Sequence, residues 1–112
     1  MNKDFADFQK HFKYYQNLFG LNGYKVYFKH EPIDNGFADI TITQRDMIAT
    51  VRLDSSGKDK QFKHIKESAR HEALHLLIGR LEFNGHYRYI VQDEICEAAE
   101  ELVIRLEGLI EK

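Results

Sequence analysis

The residues with the clearest chemical potential are His71 and His75, two histidines four positions apart, with Glu72 directly after the first. Residues at i and i+4 lie one above the other on a helix, so these imidazoles can occupy two corners of a tetrahedral zinc site. A glutamate after the first histidine would lie beside the metal and could act as general base toward a water. The pattern therefore predicts a hydrolytic zinc site; the alternative is two ordinary histidines on an amphipathic helix.

Zinc in a hydrolytic site needs a third protein ligand and one open position for water. The extended motif with a third histidine does not match, since Ile78 and Leu81 occupy the positions of its glycine and its histidine. His86 follows in the connecting segment, but nothing in its sequence context fixes it. We expect the ligand from the last predicted helix, where four glutamates compete: Glu94, Glu97, Glu100 and Glu101.

Helical geometry separates these four glutamates. All but Glu100 form one stripe, which Arg105 continues, and this pattern indicates a solvated face with a Glu101–Arg105 pair. Glu100 lies apart from the stripe, on the side of Cys96, where a carboxylate would be costly unless it binds something. Glu100 is therefore the predicted third ligand of a Zn²⁺ ion held by the two histidines, and Glu97 is the next candidate.

The pattern of apolar residues predicts an α+β fold with a small three-stranded sheet between helices. Apolar side chains at helical spacing predict an N-terminal helix that stops at Gly20: Phe5, Phe8, Phe12, Tyr15 and Phe19. Alternating apolar and polar residues then predict strands at residues 24–29, 38–43 and 47–53. If the third strand lies at the sheet edge, an extended peptide could pair with it.

Two further helices complete the prediction. The first runs from about Gln61 to Ile78, carries the histidines and ends with Gly79 as its C-cap. An irregular segment over residues 80–92 follows, and the last helix begins with Asp93 as N-cap and carries the glutamates. The chain, residues 1–112, is short enough that we expect a single domain.

The composition favours a small globular protein of the cytoplasm. Of 112 residues, 43% are hydrophobic and 30% charged, and the net charge of −2 gives no general attraction to nucleic acid or anionic membranes. Cys96 is the only cysteine, which excludes an internal disulfide and fits a reducing compartment. We expect no membrane partner, because no apolar run reaches the roughly 18 residues of a membrane span. Lysines in the first part of the chain keep nucleic-acid binding as a weak rival function.

Two runs of sequence, HEALHLLIGRL (residues 71–81) and EELVIRLEGLI (residues 100–110), resemble the compact zincin-type metallopeptidases of phages and bacteria. These are related in architecture to the glutamate-liganded zincins (gluzincins) and more loosely to SprT-like proteins. The resemblance covers the plan of the whole chain: N-terminal helix, small sheet, motif helix and glutamate-bearing helix. It implies zinc bound by the two motif histidines and a helix glutamate, with Glu72 as general base.

These observations predict a small zinc-dependent metallopeptidase that cleaves a peptide or protein substrate, with Glu72 taking a proton from a metal-activated water. The alternative is a non-catalytic zinc-binding module with a regulatory or partner-binding role, against which the intact Glu72 counts. A further donor to the developing oxyanion would have to lie between the two ligand helices, where His86, Tyr87 and Tyr89 are candidates, but for each of them taken singly we expect a surface or core-edge role. His64, two helical turns before the first motif histidine, is interpreted as a histidine of the helix surface.

Overall fold

The described residues of the computed structural model, 3–57, 64–86 and 91–110, form four helices and one three-stranded sheet. The helices are α1 (Lys3–Leu18), α2 (Ile65–Leu77), α3 (Gly79–Gly85) and α4 (Gln92–Ile110). The strands are β1 (Lys25–Glu31), β2 (Ala38–Thr43) and β3 (Ile48–Asp54). The predicted α+β class is therefore confirmed. Within the described ranges, none of the helices combines the length and apolarity that a bilayer crossing requires.

The sheet has the strand order β1–β3–β2, with β1 parallel and β2 antiparallel to β3. Strand β3 is therefore the central strand and is paired on both sides. Peptide pairing with the third strand was conditional on its lying at the sheet edge, so an extended peptide has no free edge on β3 to pair with. The alternation of residues could not reveal this, because it reports which face of a strand is buried and not the strand's neighbours. The edges belong to β1 and β2, and β2 is the strand that contacts helix α2.

The main core lies between one face of the sheet and helices α1 and α2. Its buried members are Phe8, Phe12, Tyr15, Ala49, Val51, Leu53, Ala69, Ala73 and Leu76. They follow helical spacing on α1 and α2 and period two on β3, as amphipathic elements require. Helix α1 stops at Gly20 as predicted: this residue has φ 72°, and the Leu21 N–H donates to the Gln16 carbonyl at 2.9 Å. This is the hydrogen bond of a Schellman cap.

Helix α4 packs on α2 through a second apolar cluster, formed by Leu74, Ile78, Ala99 and Val103. Leu74 lies between the two motif histidines in sequence, and Ala99 directly precedes Glu100. Burial of these neighbours therefore brings the polar residues beside them to the same contact between the helices. The free energy that holds the ligand helices together comes from this apolar contact, at roughly 25 cal/mol per Å² of buried apolar surface.

The chain between α2 and α4 differs from the prediction. The segment predicted as irregular begins with helix α3, and α2 ends with Ile78, not Gly79, as its C-cap. Gly79 lies close to the sheet instead: a Cβ there would be 2.8 Å from Gln44 Nε2 on the β2–β3 turn, and the glutamine side chain would have to shift. At the other end of this segment α4 begins at Gln92, so Asp93 lies in its first turn and is not the N-cap. The predicted start of the motif helix at Gln61 lies outside the described residues.

Candidate metal centre

His71 and His75 lie one turn apart on α2 and line a cleft of about 520 Å³. Their ring centroids are 4.9 Å apart. Glu100 reaches both from α4: Oε1 lies 2.8 Å from His71 Nε2, and Oε2 lies 2.9 Å from His75 Nε2. Ligand atoms of the three residues lie within 4.8 Å of one another. The structure thus brings together the three side chains predicted as ligands, from two helices that are separate in sequence.

The competing glutamates of α4 point elsewhere. Glu94, Glu97 and Glu101 are exposed, and among the described residues none of them joins the histidines. Arg105 Nε donates to Glu101 Oε2 at 3.0 Å, and both side chains are largely in solvent, which confirms the predicted surface pair. The distinction between Glu100 and its neighbours follows from the buried Ala99 and Val103, which fix how α4 is rotated on α2.

Glu107 is a further member of the centre, and it is not among the residues predicted from the sequence. Its Oε1 lies 2.8 Å from His71 Nδ1. A carboxylate can only accept a hydrogen bond, so Nδ1 donates to Glu107. Nε2 faces Glu100 at the same distance, where it donates in the metal-free protein and would have to lose its proton to bind a metal. Arg70 lies 3.9 Å from the second oxygen of Glu107. Glu107 follows Glu100 by seven residues, two helical turns, and this spacing is a signal that could have identified it.

The donor set of the centre fits zinc. Two imidazole nitrogens and one carboxylate are protein ligands of catalytic zinc sites, and a carboxylate on the outer nitrogen of a ligand histidine fixes its tautomer. Ligand atoms of a tetrahedral zinc ion with bonds near 2.0 Å lie about 3.3 Å apart, so a small outward movement of Glu100 would admit the ion. Burial lowers the pKa of His71, but the hydrogen bond with Glu107 and the charges of nearby carboxylates outweigh it, and the pKa is raised.

Glu72 lines the same cleft and is only 7% exposed. Burial raises the pKa of its carboxyl to about 7; the charge of His71 opposes this rise, and nearby carboxylates, Glu100 first, add to it. A dication beside Glu72 would lower the pKa again. Glu72 therefore places a buried carboxyl next to three converging ligands, which is the position that a general acid–base catalyst needs.

The remaining predicted residues lie at the margins of the centre or outside the described chain. His64 is exposed at the N-cap of α2, as predicted for a surface histidine. His86 is exposed at the end of α3 and lines the cleft. Tyr87 and Tyr89 lie outside the described residues. Of the three candidate oxyanion donors, only His86 lies within the described residues, and its exposure agrees with the expected surface role.

Strand β2 forms one wall of the cleft. Ala38, Ile40 and Ile42 line it, and the ion pair of Asp39 with Arg52 ties this strand to β3. One edge of β2 is paired with β3, and no strand of the described ranges pairs with the other edge. A sheet edge that lies beside the ligand group can therefore offer backbone donors and acceptors to a further extended chain.

Comparison of the chain with protein-family models, with curated proteins and with solved structures finds no match. A function can therefore be inferred only from the chemistry of the cleft. The relevant groups are the triad of His71, His75 and Glu100, the buried Glu72, and Glu107 behind the first histidine.

Proposed function

We propose that the protein is a small zinc-dependent metallopeptidase of the zincin type. His71, His75 and Glu100 would hold the metal, and Glu72 would act as general base. The observation that carries the proposal is the convergence of Glu100 on both histidines beside a buried glutamate in an open cleft. Purely structural zinc sites are closed by four protein ligands, whereas this group in the described chain has three.

The chain's own residues have distinct tasks in this mechanism. Zinc, when bound, supplies a Lewis acid that stabilises negative charge on oxygen and makes a water more acidic. Glu72 accepts the proton of the attacking water and returns it to the leaving amine. The carboxyl must therefore be ionised before the first transfer and protonated before the second. Glu107 holds a proton on His71 Nδ1, so that the Nε2 lone pair is directed toward the ligand group.

The substrate class that suits this cleft is an extended, unfolded peptide segment. Strand β2 has a free edge within the described chain and lines the cleft with apolar side chains such as Ile40 and Ile42. An extended peptide that adds to this edge would gain backbone hydrogen bonds, and its side chains would alternate between the cleft and solvent. This arrangement would bring the peptide backbone alongside the ligand group and Glu72.

The test compares the zinc-loaded protein with its Glu72→Gln variant on a mixture of unstructured peptides, with new termini identified by mass spectrometry. We expect the variant to retain zinc, because no ligand is changed, and to lose about 10²- to 10⁴-fold in cleavage rate. Glu67→Gln is the matched control: it removes an exposed glutamate from the same helix and should cleave like the unmodified protein.

Two outcomes would contradict the proposal. Cleavage that survives in zinc-loaded Glu72→Gln would exclude Glu72 as the base. Stoichiometric zinc with no new termini would instead favour the non-catalytic zinc-binding module, the second function compatible with the same three ligands.

A further inference from the structure

A second group of ligand-type side chains lies where α3 meets the start of α4. Its members are Glu82 on α3, His86 one turn later at the C-cap of that helix, and Cys96 on α4. Their potential ligand atoms lie within 4.8 Å of one another. Across the described parts of the chain, no side-chain hydrogen bond or ion pair engages any of the three. Carboxylate, imidazole and thiol groups therefore converge without a polar contact, among the described residues, that would hold them together.

Tight packing of the two helices causes this convergence. A Cβ on Gly85 would lie 2.7 Å from Ile95 Cδ1, so glycine allows the end of α3 to approach α4 without a shift of the Ile95 side chain. Gly85 directly precedes His86, and Ile95 directly precedes Cys96. The close approach of the first pair therefore brings the backbone of the second pair together as well.

We propose that Glu82, His86 and Cys96 form a second site for a thiophilic divalent cation of the zinc class, open to solvent beside the cleft. Thiolate, imidazole and carboxylate are all zinc ligands, and the thiolate makes the set unsuited to magnesium or calcium. Binding forms a cation–sulfur bond as the Cys96 thiol releases its proton to solvent, and water completes the coordination. Desolvation first, and then the negative charges of Glu82 and Asp93, raise the pKa of the Cys96 thiol, so a cation bound there has to displace a proton that the thiol holds more tightly than usual.

The site has a structural consequence for the cleft. Glu82 and His86 also line the cleft that contains the first ligand group. Cys96 lies one turn before Glu100 on α4, on nearly the same face of the helix. A cation held by all three residues would therefore bind α3 to α4 and fix that wall of the cleft.

Cobalt titration of the metal-free, reduced full-length chain tests the site, because only a thiolate ligand gives an intense sulfur-to-cobalt charge-transfer band in the near ultraviolet. We expect this band to saturate within two equivalents of Co²⁺, one for the triad and one for this site, and to be lost in Cys96→Ser. His86→Ala and Glu82→Gln should each weaken the affinity for Co²⁺, measured by the band, by about tenfold or more. Loss of a residue that only supports a ligand already costs about tenfold, so loss of a ligand should cost at least as much. Glu97→Gln, which changes the exposed residue next to Cys96, should leave this affinity unchanged.

The same titration separates this site from the triad. His75→Ala removes a ligand of the first group and should preserve the band, so failure of the peptidase proposal would leave this result intact. A band with unchanged affinity in both His86→Ala and Glu82→Gln would show thiol binding alone and would overturn the proposal. A band that needs two chains per cobalt ion, or the absence of a band, would overturn it equally.

Discussion

The two ligand groups share one construction and differ in their surroundings. Each takes two side chains four residues apart on one helix and a third from α4, where Cys96 and Glu100 lie one turn apart. In the first group the histidine side chains are 24% and 18% exposed, and Glu107 supports one of them. In the second, His86 and Cys96 are exposed, and no outer carboxylate bonds to the imidazole among the described residues. Ligand spacing is thus sufficient to gather donors but does not bury or orient them.

A second difference concerns the residue that follows the first ligand. Glu72 follows His71 and is buried in the cleft, whereas the exposed Phe83 follows Glu82. The carboxyl of Glu72 can accept and release a proton beside the first ligand group. The phenyl ring of Phe83 cannot, so the second group has no proton-transfer residue in the equivalent position. Chemistry beyond binding is therefore expected at the first group alone, and each prediction below changes one feature that separates the groups.

The largest effect is expected from Glu100→Ala, which removes the residue that connects α4 to both histidines. In a Cys96→Ser background, where the second group cannot contribute, zinc should fall from one equivalent to well below one after dialysis. Glu97→Ala in the same background is the control, because Glu97 lies on the same helix but is exposed. Elemental analysis and competition with a chromogenic chelator measure the difference.

Equal zinc retention in both variants would exclude Glu100 as a ligand. The reverse order, with loss only in Glu97→Ala, would restore the second candidate of the sequence prediction. Either result would also show that the two ligand groups are built differently, because each is described as taking its third ligand from this face of α4, Glu100 in the first group and Cys96 in the second.

The next effect concerns the stability of the metal-free protein, and it depends on the burial of Glu72. Its pKa is raised from an ordinary 4.5 to about 7, so between these values the folded chain holds a proton that the unfolded chain has released. The free energy of unfolding should therefore fall as pH rises, by about 3 kcal/mol across this window. The raised pKa of His71 acts with the same sign, since a proton is again bound more tightly in the folded state.

Denaturant unfolding in the presence of a chelator, at about pH 5 and about pH 8, measures this loss. Glu72→Gln should be the more stable protein at the higher pH, because its neutral amide carries no charge into the buried site. Glu67→Gln should keep the pH dependence of the unmodified chain, since Glu67 is exposed on the same helix. An identical pH dependence in Glu72→Gln would show that the carboxyl is not buried in solution as described.

Much of the fold and part of the centre were accessible from the sequence, and particular residues show why. The spacing of apolar residues predicted α1, the three strands and the two helices that carry the ligands, α2 and α4, because burial of one face imposes a period on the sequence. Glu100 was separated from Glu101 by the same argument, and the structure places the two on different sides of α4. These are properties of single elements, which local patterns record.

Properties that depend on contacts between elements were not accessible. Gly79 fits the pattern of a helix cap, but in the structure it lies so close to Gln44 and Ile42 that a Cβ there would require their side chains to shift. The central position of β3 depends on the crossover from β1, which no residue in the strand specifies. The i+7 spacing of Glu107 from Glu100 places both on one face of α4, but only the packing of α4 on α2 shows that this face meets His71. The predicted identity of the metal and the peptidase activity stay predictions, because they depend on groups outside the chain.

The smallest effect is expected from Glu107→Gln, which makes the first group resemble the second by removing its outer carboxylate. Loss of an outer partner of a ligand histidine typically weakens metal affinity about 10- to 100-fold. The side-chain amide can still occupy the space, so a change in packing should be small, and the loss would come from the orientation and basicity of His71. Glu101→Gln is the control, since it removes a glutamate of α4 that pairs only with the exposed Arg105 in the described structure.

A merely structural role for Glu107 predicts a different result, so a second measurement is needed. Nitrogen NMR of the His71 ring reports which nitrogen carries the proton: Nδ1 should carry it in the zinc-loaded unmodified protein, and the variant should lose this strict preference. Weakened zinc binding with an unchanged ring tautomer would assign the effect of Glu107 to packing or charge. Unchanged affinity and tautomer would mean that the contact at 2.8 Å contributes nothing to the centre. The difference between the two ligand groups would then reduce to their burial and to Glu72.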